Sequence, residues 1–195
     1  MKQVFMALLI ITVASTATAQ TGFGFKGGLN RFALTGDDQS YVNGLHFGAF
    51  AQIKLGAQFA VQPELLFSNE GNAFEENNIK SGTYLSYVNI PVLAQVVTKS
   101  GFYAEAGPGF GFLLSAKYKE TGIPNKDIKK FLKGSTVFFG AGFGYRLKMG
   151  LGFGLRYNFG ISNIAVESAD KTKSTGAQVS VSYKFNGIKI GRAHV

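Results

Sequence analysis

The sequence contains no cysteine and no tryptophan, and it has few charged residues for its length. The absence of cysteine excludes a disulfide framework, a thiolate metal site and a cysteine nucleophile. Only two histidines occur in 195 residues, which leaves little for a zinc centre. Charged residues make up 16% of the chain, below the roughly 25% of an average soluble domain, and aromatic residues are frequent. This composition argues against disorder and predicts one folded domain without a metal or other cofactor.

Residues 1–19 have the pattern of a secretory signal peptide. Lys2 provides the positive start, residues 6–14 are almost entirely apolar, and Ala17-Thr18-Ala19 is a small-x-small cleavage site. The apolar run is too short for a transmembrane anchor, which needs roughly 20 residues. We therefore expect export from the cytoplasm and a mature chain that begins at Gln20.

Residues 186–195 form a tail after the last strand-like pattern. The segment 190–195 matches the translation of one reading frame of a common sequencing adapter, ATC GGA AGA GCA CAC GTC. We interpret these six residues as an assembly artefact and exclude them from the fold, with a genuine short tail as the alternative. The predicted barrel domain is accordingly 20–185.

Apolar and polar residues alternate with a period of two through most of residues 20–185. In 44–54, for example, Leu45, Phe47 and Ala49 face one way and His46 and Gly48 the other. Strands of roughly 10 to 15 residues are longer than the usual 5 or 6 in soluble proteins and suit a tilted strand across a bilayer. The pattern predicts eight strands, at about 22–34, 44–54, 58–67, 83–96, 101–115, 136–147, 151–161 and 174–185.

Short and long connections alternate along the chain. The long polar segments are about 35–43, 68–82, 116–133 and 162–173, and the connections between them are tight turns. An up-and-down barrel with every long loop at one end gives this order. Outer-membrane barrels have short periplasmic turns and longer external loops. We predict an all-β fold, an eight-stranded antiparallel transmembrane β-barrel with both termini in the periplasm.

The two faces of the predicted strands differ in bulk and polarity. The apolar face is rich in Phe and Leu, which are too large to converge inside eight strands, so we assign that face to lipid. A soluble, lipocalin-like barrel with the apolar face inward is the alternative. The opposite face would fill the lumen and leave no open pore. Its polar residues include Lys26, Asn30, His46, Gln52, Glu64, Glu105, Arg146, Arg156 and Asn158.

Charged residues of the inward face must pair, because an unpaired buried charge costs several kcal/mol. Glu64, Glu105 and Arg156 all fall near mid-strand. We predict a lumen charge network in which Arg156 bridges one or both carboxylates. A gated polar path or proton relay is the functional alternative to this structural pairing.

Three further motifs suggest chemistry but favour structural interpretations. Gly22 to Gly27 matches G-x-G-x-x-G, yet strand pattern runs through it and no helix follows, as nucleotide binding requires. Glycines alternate in 107–111 and 140–144, where they leave room for large lumen neighbours such as Phe50, Phe138 and Tyr103.

His46 could be a catalytic residue together with residues of the first loop. Those loop candidates are Asp37, Asp38 and Ser40. We predict no catalytic residue and no enzyme activity.

The third long loop is strongly basic. Ile128, Phe131 and Leu132 have helical spacing within it, which indicates a short amphipathic turn. The loop could contact lipid phosphates or an acidic partner, or it could be a solvated loop without a ligand. Nucleic acid is not expected, because no aromatic residues are interleaved as stacking platforms. The candidate residues are Lys117, Lys119, Lys126, Lys129, Lys130 and Lys133.

Several stretches resemble the outer-membrane β-barrel domain family of Bacteroidota, also called PorT-like. They are GFGFKGGLN at 22–30, YVNIPV at 87–92, YAEAGPGFG at 103–111 and RYNFGISNI at 156–164. The resemblance implies an eight-stranded barrel in the outer membrane of a Gram-negative bacterium, and it transfers no catalytic residue. Such barrels commonly end on an aromatic residue that the assembly machinery recognises. Here Phe185 would serve, but ten residues follow it.

Together these features predict a non-enzymatic structural or interaction barrel that acts through its external loops. The alternative is a component of an outer-membrane transport or protein-secretion assembly, which is the role of the family's named member. The expected partners are outer-membrane lipids and lipopolysaccharide, the barrel assembly machinery, and an envelope or secretion protein.

Overall fold

The computed structural model describes residues 21–35, 41–76, 79–166 and 172–185. The predicted signal peptide, the loop residues Asp37, Asp38 and Ser40, and the tail 186–195 lie outside the described residues. The described chain forms nine strands and one short 3-10 helix. They are β1 (Thr21–Leu34), β2 (Tyr41–Lys54), β3 (Phe59–Glu76), β4 (Ile79–Val97), β5 (Phe102–Glu120), β6 (Ile123–Asp127), η1 (Lys129–Phe131), β7 (Ser135–Arg146), β8 (Leu151–Gly160) and β9 (Ser174–Lys184).

Eight of these strands close into an antiparallel barrel. Each strand pairs with the next along the chain, except that the short β6 is passed over and β5 pairs directly with β7. The ring closes between β1 and β9, where Leu29 lies opposite Val179. Closure leaves no strand edge in the ring without a backbone partner. The predicted all-β, eight-stranded barrel is confirmed.

The two ends of the barrel differ. At one end, which we call the turn end, residues 55–58, 98–101 and 147–150 make the three short connections. Gly101 and Gly150 have φ values of +104° and +98°, a left-handed conformation that side-chain-bearing residues rarely adopt. β1 also begins at this end, with Thr21. The Phe185 amide donates a hydrogen bond to the Phe23 carbonyl there. The opposite end, which we call the loop end, carries the remaining connections.

The predicted polar loop at 68–82 is wrong. β3 continues to Glu76 and β4 begins at Ile79, so a long hairpin extends past the apolar part of the wall. β5 likewise continues to Glu120, beyond the predicted end at 115. Beyond the apolar belt the outward residues no longer need to be apolar. The strands therefore lose the alternation that marks them in sequence while their backbone ladder continues.

Large apolar side chains point outward around the whole barrel. Phe143 and Phe25 are 63% and 62% exposed, although both are fully apolar. Side chains of this size exposed over an entire sheet define an apolar belt, far beyond the small patches of a soluble monomer. The belt includes Phe23, Phe25, Leu29, Leu45, Phe47, Leu65, Ile90, Phe110, Phe112, Phe139, Phe143, Phe153, Leu155, Tyr157, Phe159, Val179 and Val181.

A β-bulge in β5 exchanges the inward and outward positions near the loop end. Tyr87 pairs with Leu113 while the preceding Ser86 pairs with Ser115, so Leu114 is an extra residue. Leu113 and Ala116 are therefore both buried on the inward side. The bulge places the following Lys117 and Lys119 on the outer surface of the wall.

No helix among the described residues has both the length and the apolar character to cross a membrane.

Candidate functional site

Four charged residues meet in the middle of the lumen. Arg156 on β8 donates from Nε to Glu105 Oε1 at 2.8 Å, and its two terminal nitrogens donate to both oxygens of Glu64 at 2.8 and 2.9 Å. A second bond to Glu105 measures 2.6 Å. Lys26 Nζ donates to Glu64 Oε1 at 2.7 Å. We call these four residues, two cations and two carboxylates, the central charge network.

Two glutamines complete the network. Gln62 donates to Glu64 Oε1 at 2.7 Å, and Gln95 donates to Glu105 Oε2 at 2.8 Å. All of these side chains are buried. The structure thus brings together Glu64, Glu105 and Arg156. With Lys26, their ion pairs link β1, β3, β5 and β8 across the lumen. Because an arginine keeps its proton in proteins, the arrangement suits structural pairing and not a proton relay through Arg156.

His46 lies above this network, toward the loop end. Its Nδ1 is 2.7 Å from Asn30 Oδ1, and its Nε2 is 2.9 Å from Ser180 Oγ. A serine hydroxyl hydrogen-bonded to a histidine, which is itself hydrogen-bonded to an orienting amide, is the arrangement that can activate a nucleophile. However, His46 is 1% and Ser180 7% exposed, so no substrate reaches the hydroxyl in this conformation. Ser180, His46 and Asn30 therefore fill this part of the lumen with polar side chains that are hydrogen-bonded to one another.

Glu70 is a buried carboxylate that the sequence analysis missed. It accepts hydrogen bonds from Asn89 Nδ2 at 2.9 Å, from Ser174 Oγ at 2.6 Å and from Ser68 Oγ at 3.1 Å. All three donors are neutral. Its position in the predicted loop 68–82 concealed it, although Glu70 has the same parity as Glu64 and continues the inward face of β3.

The lumen becomes apolar at the loop end. Six buried residues form a loop-end plug, and Ile128 and Leu132 from the third loop pack against it. The third and fourth loops are also tied together, because Lys133 N donates to the Ile164 carbonyl at 2.7 Å and Val166 N to the Phe131 carbonyl at 3.1 Å. The helical turn expected in this loop is η1. The plug residues are Leu34, Leu85, Tyr87, Leu113, Ala116 and Ile164.

Glycines make room for the aromatic rings inside the lumen. A Cβ at Gly109 would collide with the ring of Phe138, and one at Gly24 would collide with the ring of Phe50. Tyr103 occupies the space beside Gly144 in the same way. Among the alternating glycines, Gly109 and Gly144 are thus positions whose space a large ring fills, whereas a Cβ at Gly107 or Gly142 would meet the backbone of the neighbouring strand. The Gly22 to Gly27 motif lies entirely within β1, and no helix follows it.

The filled lumen predicts a barrel without a stable channel. Reconstituted into a planar bilayer, the protein should show no steady conductance of the size of a sixteen-stranded porin, because eight strands leave room only for side chains. Single-channel recording of refolded protein measures this. Large, long-lived current steps would contradict the filled lumen and the strand count together.

The predicted basic residues are all exposed at the loop end. Lys129 Nζ donates to the Leu114 carbonyl at 2.9 Å, and Lys119 Nζ lies 5.0 Å from the centre of the Tyr84 ring. Glu120 and Asp127 are the acidic residues within this segment. We call the six lysines the basic loop surface, and they are Lys117, Lys119, Lys126, Lys129, Lys130 and Lys133.

The described residues contain no group of three or more histidine, aspartate or glutamate side chains arranged to hold a metal ion.

A closed barrel with an apolar belt outside and a charged, hydrogen-bonded lumen inside is the architecture of an integral outer-membrane protein. The chain belongs to the outer membrane protein β-barrel domain family, whose model matches residues 14–166. No curated protein sequence matches the chain significantly.

Solved structures of outer-membrane proteins share the fold. Neisserial surface protein A is 14% identical with a TM-score of 0.53, and the alignment covers 87% of this chain and 100% of that one. Ail, the attachment invasion locus protein of Yersinia pestis, solved in complex with the heparin analogue sucrose octasulfate, is 15% identical with a TM-score of 0.50 over the same shares. At these identities the likeness concerns the fold alone.

Proposed function

We propose that the protein is a non-enzymatic interaction barrel that acts through the basic loop surface, with lipopolysaccharide phosphates as the ligand. The observation that carries this proposal is that the third loop, 116–133, has six exposed lysines and only two acidic residues, Glu120 and Asp127. Each lysine near an anionic membrane surface contributes roughly 1 kcal/mol to attraction. The surface is held on ordered elements. β5 contributes Leu113 and Ala116 to the loop-end plug, β6 pairs with β5, and Ile128 and Leu132 on either side of η1 pack against the plug.

The proposal includes an orientation. With the short turns and both chain termini in the periplasm, the loop end faces outside, where lipopolysaccharide occupies the outer leaflet. Export through the predicted signal peptide and insertion by the barrel assembly machinery fit this orientation. The PorT-like resemblance and an origin in Bacteroidota belong to the same proposal.

The position of Lys117 and Lys119 supports a lipid ligand in particular. Both project from the outer wall directly above the apolar belt, where Phe112 and Leu114 end the apolar outward positions of β5. A groove beside them is lined by polar groups that include Asn69, Tyr84 and Ser86. A lipid whose acyl chains contact the belt would place its phosphate at this height.

The test is lipopolysaccharide retention by a variant in which Lys117, Lys119 and Lys130 are replaced by glutamine. In refolded, membrane-reconstituted protein we expect apparent affinity to fall about tenfold or more, since three favourable charges are removed. The matched control is glutamine at Lys54, Lys99 and Lys148, which carry the same charge at the turn end. Wild-type binding should also weaken with added salt.

Equal retention by wild type and the loop-end variant would contradict the proposal, as would an equal loss in the turn-end control. A deletion strain separates the alternative function. Loss of secretion with an intact envelope would favour the transport or secretion assembly, whereas envelope sensitivity alone would support the interaction barrel.

A further inference from the structure

The turn end contains an open cavity that the proposed function does not use. Its volume is about 260 Å³, and its walls come from the three short turns and the ends of β2, β7 and β9. Among the described lining residues, five are basic and none is acidic. We call this cavity the turn-end vestibule, and its basic residues are Lys54, Lys99, Arg146, Lys148 and Lys184.

Arg146 lies where the vestibule meets the lumen, and no carboxylate of the described residues forms an ion pair with its guanidinium. Its one hydrogen bond among the described residues runs to Gln62 Oε1 at 3.5 Å, which is at the limit for such a bond. The Nε atom is buried without any hydrogen-bond partner. The guanidinium lies 5.8 Å from the centre of the Phe50 ring and 5.2 Å from that of Tyr103. These rings flank the guanidinium, and its Nε remains without an acceptor among the described residues.

The carboxylates deeper in the lumen do not neutralise the vestibule. Glu64 and Glu105 are bonded to Lys26 and Arg156 within the central charge network, which is balanced by itself. Lys184 Nζ donates to the neutral amide oxygen of Gln52 at 3.0 Å. The described part of the vestibule therefore concentrates positive charge that an anion entering from the turn end would offset.

We propose that the turn-end vestibule binds a compact oxyanion, namely a phosphate group, with Arg146 and Lys184 as its principal ligands. The fork of an arginine matches two oxygens of a phosphate, and a lysine adds a mobile point charge. The volume accommodates inorganic phosphate or the phosphate of a small ester. This site is at the opposite end of the barrel from the basic loop surface, so the two proposals stand or fall separately.

The experiment is calorimetric titration of the refolded barrel, in a zwitterionic detergent, with inorganic phosphate and with glycerol 3-phosphate. We expect saturable binding that depends on Arg146. Arg146→Gln should weaken binding about tenfold or more, and Arg146→Lys should have an intermediate effect because it keeps the charge and loses the fork. Tighter binding of glycerol 3-phosphate would identify an ester as the ligand, and equal affinity would identify the phosphate group alone.

Two controls keep the test decisive. Arg31→Gln removes an exposed charge at the loop end that belongs neither to the vestibule nor to the basic loop surface, and it should bind phosphate like wild type. Lys184→Gln, at the end of β9, should weaken binding several-fold and serves if Arg146→Gln does not fold, which the gel mobility of unboiled protein reveals. Absence of saturable binding, an unchanged affinity in Arg146→Gln and Lys184→Gln, or equal competition by chloride at matched ionic strength would overturn the proposal.

Discussion

Replacing Arg156 with methionine should lower the free energy of unfolding by about 3–5 kcal/mol, because it leaves buried carboxylate charge without its main partner. Arg156 donates four hydrogen bonds to Glu64 and Glu105. Among the described residues, Glu64 keeps Lys26 and Gln62, whereas Glu105 keeps only the neutral Gln95. Urea unfolding of the barrel in lipid vesicles, followed by the mobility of unboiled protein, measures the loss.

The double variant Arg156→Met with Glu105→Gln separates orphaned charge from lost packing. It should cost less than Arg156→Met alone, since the carboxylate with the poorest remaining partners is also neutralised. A loss below about 1 kcal/mol in the single variant, or a larger loss in the double variant, would contradict the assignment of Arg156 to a tightly paired lumen site.

Placing an arginine on the lipid-facing side of the same strand should also be costly. Leu155 adjoins Arg156 but points outward and is 42% exposed, opposite Phe143 and Val179. Leu155→Arg should lower the free energy of unfolding in a bilayer by about 2–4 kcal/mol, because the charge lies near the midplane. The measurement is again urea unfolding in lipid vesicles.

The control for Leu155→Arg is the same substitution near the membrane surface. Phe102 begins β5 at the turn end and is 60% exposed on the outer wall. Phe102→Arg should cost only about 0–1 kcal/mol, because the charge reaches the interface. Equal costs at the two sites would argue that the outer wall does not face hydrocarbon.

Much of this barrel can be predicted from alternation alone. A strand with one lipid-facing side requires apolar residues at every second position, so the parity of residues such as Leu155 and Arg156 defines the wall and the lumen together. The same parity places Glu64, Glu105 and Arg156 inward. Since eight strands enclose little space, side chains from distant strands must meet there.

The loop end could not be predicted in the same way. Glu70 lies where the outward residues of β3 are polar, so the alternation disappears although the strand continues. The bulge at Leu114 also exchanges the inward and outward positions of β5, and no feature of the sequence at Leu114 indicates a bulge. The loop-end plug forms because Ile164 from the fourth loop packs against Leu85 and Leu113. This is a tertiary contact between residues far apart in the chain, so local sequence patterns do not predict it.

The turn-end vestibule was partly visible in the sequence. Arg146 has inward parity, but the sequence does not show that its neighbours would be two aromatic rings and an amide. The vestibule has an excess of positive charge because the nearby lumen carboxylates are paired with the cations of the central charge network. That pairing depends on the geometry of the barrel.

The most direct test of the central claim, an apolar belt around a polar lumen, is a single-cysteine scan of β8. The chain has no cysteine, so each substitution introduces the only thiol. Spin labels at 153, 155, 157 and 159 in bilayer-reconstituted protein should collide strongly with oxygen, which concentrates in hydrocarbon, while a label at 158 should be shielded. The reverse pattern, or water-soluble quenchers reaching the odd positions at mid-strand, would contradict the account and indicate a soluble barrel with its apolar face inward.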